Sequence, residues 1–140
     1  LNNFDHIPLA RQVDYVFRQL EGELKNAAAG TVHIQLRNNA VGKFGMKHHP
    51  IESRNGELKP VEAGLNAQQV EAFRKMAIEA LKLKRDWTHG DISYDFAVRP
   101  GTGAWSASIM YESNYNMSNH TGALFQYVPK KPRSREYDEG

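Results

Sequence analysis

The sequence predicts an α+β fold, a two-layer sandwich in which an antiparallel sheet carries two helices on one face, in the order α-β-β-α-β-β. Three observations predict it. Residues 90–114 alternate apolar and polar side chains through two runs separated by Pro100-Gly101-Thr102-Gly103, the pattern of a hairpin. Two other segments space apolar residues by three and four, which gives each helix a single apolar stripe. The strands are joined by short turns, so neighbours run antiparallel, and helices with one apolar face need a sheet to cover.

The first helix is expected over residues 1–29. Asp5 stands as N-cap, Phe4 and Leu9 have the spacing of a hydrophobic staple, and Pro8 falls in the first turn, where a missing N–H costs little. Leu9, Val13, Val16, Phe17, Leu20 and Leu24 form the stripe. Arg11, Asp14, Arg18, Glu21 and Lys25 alternate in sign opposite it, a solvated face with weak ion pairs. Ala27-Ala28-Ala29 is expected to carry the helix out and Gly30 to end it.

Thr31–Arg37 reads as a strand with Val32, Ile34 and Leu36 on one side and His33, Gln35 and Arg37 on the other. A turn over residues 38–42 leads to a returning strand, Lys43–His49, with Phe44 and Met46 inward. Residues 50–64, rich in Pro, Gly and charge, read as a connecting loop. The second helix spans 66–87, with Asn66 as N-cap, Gln69 completing a capping box, and Leu65 and Val70 as a staple. Its stripe is Val70, Phe73, Ala77, Ala80, Leu81 and Lys84, widened by Met76, Leu83 and Trp87. Lys82, Lys84 and Arg85 complement the helix dipole at its end.

In the hairpin, Ile92, Tyr94, Phe96 and Val98, then Trp105, Ala107, Ile109 and Tyr111, face one way. Residues 115–121 read as a polar loop, and Ala123–Val128 as a short last strand. Residues 1–128 make one domain, and 129–140 a charged, flexible tail. The polar face of the sheet then carries His33, Gln35, Arg37, Ser93, Asp95, Arg99, Ser106, Ser108 and Glu112.

Composition narrows the chemistry. Cysteine is absent, which excludes disulfides, thiolate zinc sites and cysteine nucleophiles and suits a reducing, cytoplasmic setting. No apolar run approaches the roughly 18 residues of a membrane span, and the start at Leu1 leaves open whether a leader preceded it. Of the net charge of +2, half comes from the tail, where Lys130, Lys131, Arg133 and Arg135 stand against Glu136, Asp138 and Glu139; the body, with 14 basic and 13 acidic residues, is essentially neutral. A nonspecific nucleic-acid binder needs a basic face to neutralise phosphates, so nucleic acid is not the favoured partner. Gly42-Lys43-Phe44-Gly45 and Gly101-Thr102-Gly103 lack the spacing of phosphate loops, and no nucleophile elbow is present. Asn116-Met117-Ser118 and Asn119-His120-Thr121 are formal glycosylation sequons in an Asn-rich loop.

Histidine is the one hint of catalysis. His33, Arg37, His48 and His49 are the candidates for acid–base work with phosphate stabilisation, and Glu52 is placed to orient a ring of His48-His49. In a strand His48 and His49 point to opposite faces. The spacing of the six histidines matches no metal motif, so no metal or cofactor is expected.

The helix, strand pair, helix and late strand pair, with Gly103-Ala104-Trp105 after the turn and Tyr111-Glu112-Ser113-Asn114 at the end of the last strand, resemble the YezG-like immunity (antitoxin) proteins of bacterial secreted-toxin systems over about residues 6–115. That resemblance implies a small α+β protein that binds and neutralises a toxin domain, often a nuclease. Such inhibitors are commonly acidic and this chain is not. The expected function is a non-enzymatic protein-binding module, with Gln35, Arg37, Asp95, Arg99, Glu112, Tyr115 and His120 as contact residues. The alternative is a nucleic-acid-processing enzyme built on the histidines.

Overall fold

A computed structural model describes residues 7–60, 63–84, 88–99, 101–115 and 117–128. The Asp5 cap, the Phe4 half of the first staple, Arg85, Trp87 and the charged tail lie outside the described residues. The architecture is the expected α+β sandwich. A four-stranded antiparallel sheet has the order β2-β1-β5-β6, formed by β1 (Ala29–Arg37), β2 (Ala40–His48), β5 (His89–Val98) and β6 (Trp105–Ser113). Helices α1 (Leu9–Gln19), α2 (Glu21–Lys25) and α3 (Ala67–Ala80) cover one face. A separate small hairpin joins β3 (Ser53–Arg54) to β4 (Glu57–Leu58), and α4 (Thr121–Gln126) follows β6. Among the described residues, no helix is long and apolar enough to cross a membrane.

The core lies between helices and sheet. Val13, Val16, Phe17, Leu20 and Leu24 of the first stripe meet Val70, Phe73 and Ala77 of α3 and the inward side chains Val32, Ile34, Leu36, Ile92, Tyr94 and Phe96. Phe73 is the centre of an aromatic cluster, with ring centroids 5.0 Å from Phe17, 5.5 Å from Phe96 and 5.8 Å from Trp105. The α3 start is as the sequence predicts: Asn66 Oδ1 accepts from Gln69 N at 2.8 Å, and Gln69 Oε1 accepts from Asn66 N at 2.9 Å. Leu65 and Val70 are both buried, which completes the staple.

Several boundaries differ from the sequence reading. The first helix breaks at Leu20 and ends at Lys25, and Ala29 and Gly30 belong to β1, not to a helix end. The tertiary surroundings explain this. Leu24 O and Lys25 O accept from Leu65 N and Gly64 N, so the segment entering α3 satisfies the last carbonyls of α2. Ala28 O accepts from Val98 N at 2.7 Å, and Gly30 lies where a Cβ would stand 2.8 Å from the Lys47 carbonyl oxygen. Between β1 and β2, Asn38 and Asn39 both take positive φ, 52° and 59°. That is the left-handed pair a tight two-residue hairpin turn needs, so β2 starts at Ala40, earlier than expected.

Residues 50–64 hold the β3–β4 hairpin, closed by Asn55-Gly56 with φ of 54° and 84°. The α3 helix ends at Ala80 and a 3₁₀ turn, Leu81–Leu83, follows, which leaves Leu83 exposed instead of on the stripe. The expected last strand at Ala123–Val128 is instead helix α4 and its exit, and every residue of it is solvent-exposed.

Candidate functional site

With the helices on one side, the other side of the sheet is open to solvent. Register places its side chains in rows. Lys47, Thr31, Asp95 and Ser108 form one; Gly45, His33, Ser93 and Met110 the next; Lys43, Gln35, Asp91 and Glu112 the third. Arg37 and His89 follow at the end of β1 and β5. The charges are segregated. Lys43 and Lys47 line the β2 edge, whereas Asp91, Asp95 and Glu112 lie on β5 and β6, with His33 and Gln35 between.

Local bonds fix part of this face. Thr31 Oγ1 donates to Asp95 Oδ1 at 2.6 Å, and Asn114 Nδ2 donates to Asp91 Oδ2 at 3.0 Å. The His33 imidazole lies over Gly45, with ring atoms 3.0 Å from where a Cβ would stand. Gly45 therefore gives His33 its place in the sheet. Arg37 is exposed, its stem running beside Gly42.

The catalytic candidates are divided between two faces. His33 and Arg37 are on the open face, whereas His48 is opposite Gly30 and turns to the helix side. There His48 Nε2 lies 2.8 Å from Glu23 Oε1 of α2. Glu52, the expected orienting carboxylate, pairs instead with Lys59 at 3.2 Å. His48, His49, Glu52 and Lys59 line a cleft of about 490 Å³ together with Ala27, Ala28, Pro50 and Pro60. No signal in the sequence joins Glu23 to a histidine 25 positions away. Among the described residues, no group of three or more His, Cys, Asp or Glu is placed to hold a metal ion.

Of the contact candidates, Gln35, Asp95 and Glu112 share the open face with Arg37. Arg99 falls just past β5, at the turn, where its N–H donates to Ala104 O at 2.8 Å. Tyr115 follows β6 and is 78% exposed, and His120 closes a 3₁₀ turn over Met117–His120. Sequence reasoning missed Thr31, Lys43, Lys47 and Asp91 on the open face, although extending the runs of β1 and β5 back by two positions finds Thr31 and Asp91, and alternation with Phe44 and Met46 finds Lys43 and Lys47. It also missed how far the apolar exposure continues: Met110, Tyr115, Met117, Leu124, Phe125, Tyr127 and Val128 are all more than half exposed.

Two groups away from the open face serve the fold. Arg18 holds the Asp14 carboxyl below the ordinary carboxylate value, helped by Arg74 of α3. Burial raises the Tyr94 phenol far above its ordinary value. Neither group borders the open face. The protein-family models, curated proteins and solved structures compared with this chain yield no match.

Proposed function

We propose that this chain is a protein-binding module of the immunity or inhibitor type, acting in the cytoplasm on a bacterial toxin-like partner. The observation that carries the reading is the open sheet face, with cations along β2 and anions along β5–β6, continued by the exposed Met110, Tyr115 and Met117. Tyrosine and methionine are enriched at protein interfaces, and segregated charge orients a partner and speeds its approach. The resemblance to YezG-like proteins supplies the kind of partner. Capture from the native host, followed by calorimetry with the recovered protein, tests the reading. Tyr115→Ala with Met117→Ala is expected to weaken binding about 30-fold or more if these are central anchors. Lys43→Glu with Lys47→Glu is expected to slow association and reduce its salt dependence. A captured partner whose affinity none of these changes moves would sink the proposed surface.

A second reading, a nucleic-acid-processing enzyme, draws on one observation, the carboxylate of Glu23 beside His48 in a cleft that also holds His49. A carboxylate against one ring nitrogen orients an imidazole for acid–base work. Incubation with RNA and DNA, with and without Zn²⁺ or Mg²⁺, decides. Cleavage abolished by His48→Ala, His49→Ala or His33→Ala replaces the binding reading.

A further inference from the structure

The two edges of the main sheet are built differently. The β2 edge is protected in the ways sheet proteins use against unwanted pairing. Its ladder with β1 is interrupted by an irregularity between Gln35 and Leu36. Lys43 and Lys47 lie along it, and the side chain of Gln12 from α1 accepts from the Val41 N–H at 2.7 Å, occupying a backbone donor. Among the described residues, Trp105, Ala107 and Ile109 of the β6 edge carry no such protection. Trp105-Ser106-Ala107-Ser108-Ile109-Met110-Tyr111-Glu112-Ser113 contains no proline and a single charge. Its pairing with β5 is continuous from Gly90↔Ser113 to Val98↔Trp105.

The direction of its backbone groups follows from the ends of that ladder. Arg99 N donates to Ala104 O, and Asn114 N donates to His89 O. The even-numbered positions of β6 therefore turn their N–H and C=O toward β5, and Trp105, Ala107 and Ile109 turn theirs outward. Among the described residues, no strand lies on that side.

We infer that β6 pairs antiparallel with β6 of a second copy, making one eight-stranded sheet across a two-fold axis at Ile109. The strand is self-complementary in this register. Ile109 meets Ile109 of the second copy, and Ser108 meets Met110. The small Ala107 faces the ring of Tyr111, and Glu112, the strand's one ionised group, faces Ser106. A two-fold interface requires such self-matching. The acidic Asp91 and Asp95 belong to β5. Their counterparts across the axis are three strand spacings away, roughly 14 Å, which exceeds the screening length of about 8 Å at physiological salt. On the helix side, the half-buried Trp105 and Ile109, at the margin of the core, gain cover from the second copy. This inference rests on the β6 edge, whereas the partner reading rests on the open face; the two share Met110, so they are read out separately, dimer dissociation here and partner affinity there.

Sedimentation equilibrium and residue-resolved amide exchange on the full chain test it. The expected result is a dimer at micromolar concentration, with the Ala107 and Ile109 amides protected, and with protection lost on dilution. Ser108→Lys with Met110→Lys changes two exposed positions of the open face and puts ammonium groups opposite each other across the axis. It is expected to give a folded monomer, with unchanged circular dichroism and at least a 10-fold rise in dimer dissociation constant. Ser108→Lys with Met110→Glu makes those pairs opposite in sign and is expected to keep the dimer. A monomeric wild type, or a dimer that the two lysines leave intact and in which the Ala107 and Ile109 amides exchange freely, overturns the inference.

Discussion

Tyr94 is the place where a small substitution should make this protein more stable. Its side chain is fully buried, and its ring meets Phe17 edge-on at 5.3 Å and Phe73 at 6.1 Å. Its hydroxyl, however, has no hydrogen-bond partner among the described residues. Burying a hydroxyl without a partner costs about 1–3 kcal/mol by mutational measures. Tyr94→Phe removes the oxygen and leaves the ring and its edge-on contacts in place. The void left is one oxygen wide, so the cavity penalty is small. The net expectation is a gain of about 1–2 kcal/mol. For a domain of this size each kcal/mol moves the midpoint by roughly 3–5 °C, so the melting temperature should rise by about 3–10 °C.

The same group gives a second readout. Burial raises the folded-state value of the phenol above its ordinary value of 10.0. Below that ordinary value both states are protonated and stability does not depend on this group. As the pH rises above it, the unfolded chain ionises first and stability falls. Of the six tyrosines, one should then resist ionisation in an alkaline titration followed by ultraviolet absorbance until the fold is lost, and Tyr94→Phe should remove that late step. A variant less stable than wild type by about 1 kcal/mol would refute the reasoning, because it would mean that the hydroxyl is hydrogen-bonded.

Three further outcomes follow from the packing and the charges. Phe73→Ala empties the centre of the aromatic cluster. It should cost about 3–5 kcal/mol in urea titrations, a large share of a typical 5–15 kcal/mol (about) domain stability; a loss under about 1 kcal/mol would place the ring outside the load of the core. Asn66→Ala breaks the capping box at α3 and should lower stability by about 0.5–2 kcal/mol, read by thermal melting, with no change in sheet content by circular dichroism. Asp14 carries a depressed folded-state value, held first by Arg18 and then by Arg74. Its stabilisation is present above about pH 4 and is lost as the pH falls through the folded value. The side chain is 27% exposed, so Asp14→Asn should cost under about 1 kcal/mol near neutrality, with the two stability–pH curves converging in acid; a constant gap at all pH values would assign the effect to packing.

How much was legible depends on how local the deciding interaction is. The α3 cap lies within four residues, Asn66 to Gln69, and the alternation of the β5–β6 hairpin needs only its own neighbours. Both are readable in sequence. The end of α2 is not. Its helix stops at Lys25 although Ala27-Ala28-Ala29 has high helical propensity, because Gly64, Leu65 and Val98 supply the hydrogen bonds that make another path favourable. The run Ala123–Val128 is too short for periodicity to distinguish strand from helix. It forms α4 and its exit without joining the main sheet. The site follows the same rule. Periodicity told which side of each strand was polar, but Glu23 beside His48 comes from folding α2 against the end of β2.

What the sequence determined by itself was the buried face of the main elements: period two and period 3.6 assign the core side chains of β1, β5, α1 and α3 before any strand has a neighbour. What only the tertiary structure decided was the company each polar residue keeps. The strand order β2-β1-β5-β6 joins the two hairpins through β1 and β5. That union sets Lys43 and Lys47 across from Asp91, Asp95 and Glu112 and leaves β6 at an open edge, while the β1–β2 register puts His33 and His48 on opposite faces. The physical reason is that β1–β5 pairing is chosen by burial of both apolar faces under the same helices. The polar face carries no comparable cost of mispairing, so its arrangement follows the core.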